Sequence, residues 1–124
     1  MCILVVEPEH RPELREIDGS LKSMQEVVGG LIQPVYPFDD AVALVCNDEG
    51  KLMNLPANRG MRDEDGQIYD IVCGPFFLCG APEDSDHFTS LTPEQIARYE
   101  KRFHTPEMFW GMDGRIVCLP LEVD

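Results

Sequence analysis

The sequence predicts a single α+β domain, a mixed and mostly antiparallel sheet of about five strands with two helices packed on one face. Three observations predict it. Short apolar runs of strand length recur from Cys2 onward, separated by turn residues. Two longer stretches, opening near Leu21 and Pro93, each carry a helix start and one apolar stripe. The chain has 124 residues, the size of one domain. Such a chain buries about two-thirds of its unfolded surface and folds without a metal or disulfide.

Cys2 to Val6 is apolar throughout, the pattern of a central strand covered on both faces. Glu7 to Pro12 is a polar turn with two prolines, and Leu14 to Ile17 is a short second strand of imperfect alternation. Asp18-Gly19-Ser20 caps a helix whose stripe is Leu21, Met24, Val27 and Val28, and Gly29-Gly30 ends it. Leu31 to Phe38 resumes as a strand, with Pro34 marking an edge or a bulge. It turns at Pro37 to Asp40 into an apolar strand, Val42 to Cys46. Asn47 to Gly50 is a tight connection in which Gly50 is expected at positive φ. The chain resumes at Lys51 to Met53 and breaks at Leu55-Pro56. Asp63-Glu64-Asp65-Gly66 is an exposed acidic turn, and the apolar runs Ile68–Cys73 and Phe76–Cys79 flank Gly74-Pro75. Thr92-Pro93-Glu94-Gln95 is a capping box for a second helix, through Phe103, with Ile96, Tyr99 and Phe103 inward. Lys101 and Arg102 in its last turn complement the dipole. Thr105-Pro106-Glu107 repeats the start signal weakly, so Met108 to Met112 reads as one helical turn. Asp113-Gly114 is a turn, and Arg115 to Leu119 a last strand.

Twenty-three acidic residues against ten basic ones give a net charge of −13. A surface of that sign repels nucleic acid and anionic membrane over roughly a Debye length, ~8–10 Å. Direct nucleic-acid binding and membrane association are not expected. No apolar stretch approaches the ~18 residues of a membrane span. The five cysteines lack C-x-x-C spacing and lie in core-like runs, which fits free thiols in a reducing cytoplasm. His10, His87 and His104 are isolated in sequence, so no metal site and no cofactor are expected. There is no G-x-S-x-G, phosphate loop or dinucleotide fingerprint. Asp63, Glu64 and Asp65 do not complete a calcium loop.

The stretch from Val42 to Arg62 gathers hydrogen-bonding side chains on loops beside a strand. Lys51, Arg59 and Arg62 are three of the ten basic residues, with the amides Asn47, Asn54 and Asn58 among them. These six are the candidate ligand-binding residues: cations for phosphates, amides for a base edge or ribose. Phe109 and Trp110 form a candidate stacking platform, or equally a lid or an oligomer contact. The plain alternative is that Lys51 and Arg59 pair with nearby carboxylates at the surface, where such pairs contribute little.

The segments VVEP, REIDGSL, MQEVVGG, ALVCNDEGKLMNLPANR and DIVCGPFFLCG together resemble a family of small proteins of uncharacterised function. That family occurs in gut-type bacteria, their phages and their conjugative elements. The resemblance covers roughly 1–103, and the tail, 104–124, is less typical. It implies an accessory protein in the host cytoplasm, with Asn47, Glu49, Gly50, Lys51, Asn58 and Arg59 as a polar signature. The leading expectation is a protein that binds and sequesters a small anionic, nucleotide-type ligand to counter host defence. One alternative is an acidic mimic of DNA that occupies a basic host protein. Another is a nucleotide-processing enzyme. Non-catalytic binding is favoured, and a homo-oligomer stays open.

Overall fold

The Cys2–Val6 run is apolar at every position because both of its faces are covered. It forms strand β1 (Cys2–Val6), whose Ile3 and Val5 enter one core layer and Leu4 and Val6 the other. A computed structural model describes residues 1–121; the end of the expected tail, 122–124, lies outside the described residues. The elements that follow are β2 (Glu13–Glu16), α1 (Leu21–Val28), β3 (Ile32–Val35), β4 (Val42–Asn47), β5 (Ala57–Arg62) and β6 (Ile68–Cys73). After them come β7 (Phe76–Gly80), α2 (Pro93–Arg102), β8 (Glu107–Met112) and β9 (Arg115–Pro120).

The fold is a single α+β domain. A five-stranded sheet runs β2-β1-β7-β4-β3, antiparallel throughout. Instead of one sheet, the described residues form three: β5 pairs only with β6, and β8 with β9. β3 lies at the sheet edge, the position its Pro34 requires.

The expectation that both helices cover one face is corrected. Met24 and Val28 of α1 pack on Ile3, Val5, Ala43, Val45 and Phe77. Tyr99 of α2 and Phe103 belong to a second cluster with Leu4, Val6, Leu44, Phe76 and Leu78, joined by Met61 and Val72 of the β5–β6 hairpin. The reason lies in the strands. β1, β4 and β7 are apolar at successive positions, so each sheet face presents hydrophobic area and needs its own cover.

Both helix starts are as the sequence indicates. The Ser20 hydroxyl accepts from the Ser23 N–H at 3.1 Å, and Gly29 closes α1 in the left-handed region. Thr92 and Gln95 form the reciprocal capping box of α2.

Three local expectations fail. Residues 57–62 form a strand, where a loop was expected, because Met61 fills the core and the chain pairs with β6. Met108–Met112 is extended: Asp113 (φ 51°) and Gly114 (φ 75°) make a tight turn that pairs β8 with β9 and overrides the weak helix signal. Gly50 has no positive φ. Its glycine is required by space instead, since a Cβ there would lie 2.7 Å from the Cys73 carbonyl oxygen.

Candidate functional site

The polar signature residues divide into groups that hold the fold and groups that face a cleft. Asn58 and Arg59 belong to the first. The Asn58 amide donates to the carbonyls of Val6 and Gly74, both at 2.9 Å, tying β5 to β1 and to the β6–β7 link. Arg59 is only 1% exposed. Its Nε and Nη2 donate to the Phe103 carbonyl at 3.2 and 3.0 Å, and Nη2 also reaches the His10 carbonyl at 2.6 Å. Nη1 donates to the Asn58 backbone oxygen and to Oδ1, at 3.3 and 2.8 Å. A guanidinium has five N–H donors, and these five bonds use them all. Burial pushes its pKa down to about 10, with Glu107 opposing, so it stays a cation at neutral pH. Arg59 is thus a buried clasp between β5, the end of α2 and the β1–β2 loop. It was expected at a surface pocket, but no N–H remains for a ligand.

Arg62 is also engaged. It meets Glu107 at 2.5 Å and reaches the Cys118 sulfur at 3.4 Å, while Cys118 donates to Glu107 at 2.5 Å. Burial alone would raise the Glu107 carboxyl, but hydrogen bonds from Arg62, Cys118 and the Gly60 N–H outweigh it and hold the pKa below the usual range. Burial and Glu107 together push the Cys118 thiol up to about 11. This cluster pins the β8–β9 hairpin to β5. On that hairpin, Phe109 and Trp110 are consecutive strand residues and point to opposite faces, so they form no shared platform. Phe109 is half-buried and Trp110 is 40% exposed.

Asn47 is buried at the mouth of the cleft. It donates to the Val28 carbonyl at 3.1 Å and accepts from the Glu49 N–H at 2.8 Å, which fixes the turn after β4. Lys51 projects from that turn and pairs with Asp70 at 2.6 Å, an exposed pair. Asn54 is exposed in the next turn at φ 55°.

Between the β3–β4 end of the sheet and the β5–β6 hairpin lies a cleft of about 460 Å³. Its apolar lining is Val35, Met61, Ile71 and Val72, with the half-buried thiols of Cys46 and Cys73. Tyr36 and Tyr69 also line it, 63% and 59% exposed. Gln33, Asn47, Lys51 and Asp70 supply polar groups, and Asp48 and Glu49 complete an acidic margin. Burial raises the pKa of both Cys46 and Cys73; the carboxylates of Asp70 and Asp48 add to the rise at Cys46. The geometry therefore brings Asn47 and Lys51 to the cleft and leaves Asn54, Asn58, Arg59 and Arg62 out of it. Sequence reasoning missed Tyr36 and Tyr69. The available signal was a tyrosine beside proline in V-Y-P-F and another in the run I-Y-D-I-V-C.

Among the described residues, no group of three or more His, Cys, Asp or Glu side chains is placed to hold a metal ion. None of the described helices is long and apolar enough to cross a membrane.

Fold and cleft define a class: a small α+β domain with an apolar, tyrosine-flanked cleft at one end of an antiparallel sheet. The chain belongs to the family described as domain of unknown function DUF3846, whose model matches residues 1–104. The match thus ends before the β8–β9 hairpin. No curated protein and no solved structure matches the chain.

Proposed function

We propose that the protein is a non-catalytic binding protein that sequesters a small nucleotide-type molecule, the ring of the ligand entering the cleft between β3 and β6. The observation that carries this is the cleft itself. Its volume of about 460 Å³ lies in the range of small-molecule sites, and it combines apolar walls with a few convergent polar groups. Tyr36 and Tyr69 offer ring faces, and the Gln33 side chain offers an edge to read. Carboxylates outnumber the one cation there, so the uncharged part of the ligand is the part that fits. The thiols favour binding over nucleophilic chemistry: Cys79 is pushed up to about 12 by burial, and Cys46 and Cys73 are also raised. An accessory role for a phage or mobile element, withholding a host signal molecule, follows from the family resemblance and accords with sequestration in place of turnover.

Calorimetric titration with adenosine, guanosine, uridine and their 5′-phosphates tests the reading. Loss of one base–aromatic stack costs roughly 1–3 kcal/mol. Tyr69→Ala is therefore expected to weaken binding about 5- to 150-fold, with folding stability unchanged within ~0.5 kcal/mol because the residue is exposed. Absence of binding by the wild type to every ligand at ~1 mM, in the weak limit of specific recognition, overturns it.

A second reading has its own observation. Asp63, Glu64 and Asp65 are all exposed at the β5–β6 turn of a strongly acidic chain. If the protein acts by occupying a basic partner, that association weakens steeply between ~0.05 and ~0.5 M salt.

A further inference from the structure

Four of the ten basic residues, Arg62, Arg98, Lys101 and Arg102, line a second groove of about 1180 Å³. This groove adjoins the cleft, with Pro37 and Tyr69 lining both. Two of the four cations are already matched: Arg98 pairs with Asp40, and Arg62 with Glu107. The other two are not matched by a carboxylate among the described residues. Arg102 lies over the rings of Phe38 and Phe103, 5.0 and 5.8 Å from their centroids, which holds its guanidinium in place without an ion-pair partner. Lys101, its neighbour in the last turn of α2, is exposed. Complementing the helix dipole accounts for their presence in that turn. It does not account for their position on the wall of a groove that continues the cleft.

From this juxtaposition we propose that Lys101 and Arg102 form the anion subsite of the ligand, holding its phosphate while Tyr69 stands at the junction and the ring lies in the cleft. The inference rests on the cleft reading and deepens it by assigning the ligand class: a planar ring joined to phosphate, not the free ring. The carboxylates that share the groove set a counterweight. Asp40 is matched by Arg98, and Asp63 is held by the N–H groups of Asp65 and Gln67 at 2.9 and 3.0 Å. Asp39 beside Asp40, and Glu64 and Asp65 on the hairpin wall, have no matching cation among the described residues and oppose an anion. The site therefore takes phosphate against local repulsion, and its affinity is sensitive to the charge of that wall.

The experiment compares adenosine with AMP, guanosine with GMP, and uridine with UMP, by calorimetry at ~50 mM salt on the wild type. The same pairs are measured on Lys101→Gln, on Lys101→Gln/Arg102→Gln and on Glu64→Gln/Asp65→Asn. The expected result for at least one pair is a nucleotide bound about tenfold or more tightly than its nucleoside by the wild type. In the double cation variant that preference shrinks to about twofold or less, with nucleoside affinity unchanged; in the acid variant it grows. Because Arg102 also packs on two rings, Lys101→Gln alone serves as the fold-neutral control and is expected to lose about half of the preference on a logarithmic scale. Equal affinity for nucleoside and nucleotide in the wild type overturns the subsite while leaving the cleft reading standing. So does a preference that survives the double substitution. Binding of no member of any pair at ~1 mM overturns both.

Discussion

Replacing Arg59 by alanine separates the account from the reading in which Arg59 is a surface ligand. In the folded chain the guanidinium serves the carbonyls of Phe103 and His10 and the side chain of Asn58. Removing it leaves the Phe103 carbonyl and Asn58 Oδ1 buried without their donor, at about 1–3 kcal/mol each. It also empties the volume of a large buried side chain, which adds a cavity contribution. The loss comes to roughly 3–5 kcal/mol, a large share of the ~5–15 kcal/mol by which a domain of this size is stable. With a urea m-value of ~1–3 kcal/mol per M, the midpoint falls by about 2 M. Urea unfolding followed by far-ultraviolet circular dichroism measures it. Arg59→Lys recovers little, because one ammonium with three donors cannot span acceptors on three chain segments. A loss below ~1 kcal/mol for Arg59→Ala would refute the clasp and return Arg59 to the surface.

Three further perturbations act at Gly50 and Glu107. Gly50→Ala places a Cβ 2.7 Å from the Cys73 carbonyl oxygen, which is backbone and cannot swing aside; a destabilisation of about 1–3 kcal/mol is expected by the same unfolding assay. Glu107 has a folded pKa below its unfolded one, so its contribution is present above the usual carboxylate range, ~4, and is lost as pH falls through the folded value. Below about pH 4 the β8–β9 hairpin is expected to loosen before the main sheet, read as a change in fluorescence of Trp110, the single tryptophan, ahead of the far-ultraviolet transition. Glu107→Gln is expected to loosen the hairpin already at neutral pH.

Much of the fold was legible in the sequence because its signals are local. Ser20, Gly29 and the Thr92–Gln95 box define helix ends by hydrogen bonds within one turn, and both helices form where those residues place them. The Cys2–Val6 and Val42–Cys46 runs announce buried strands by composition alone. What was not legible depends on distant partners. Asn58-Arg59-Gly60-Met61 reads as a polar loop until Phe103, 44 positions away, supplies the carbonyl that lets Arg59 go inside. The helices were expected on one face because periodicity gives an element's apolar stripe but not the layer it meets. The candidate site was legible only in part for the same reason. Asn47 and Lys51 reach the cleft, but its other wall comes from β6, and Asp70 is 19 positions from Lys51.

The central claim is that the cleft between β3 and β6, and not the Arg59 region, is the ligand site. Two-dimensional amide NMR of the labelled protein during titration with AMP and GMP tests it most directly. The account predicts that shifts concentrate at Gln33, Tyr36, Asn47 to Lys51 and Tyr69 to Cys73, with Lys101 and Arg102 following the phosphate. Amides around Asn58, Arg59 and Phe103 stay in place. Shifts centred on those buried amides, or on the β8–β9 hairpin, contradict it.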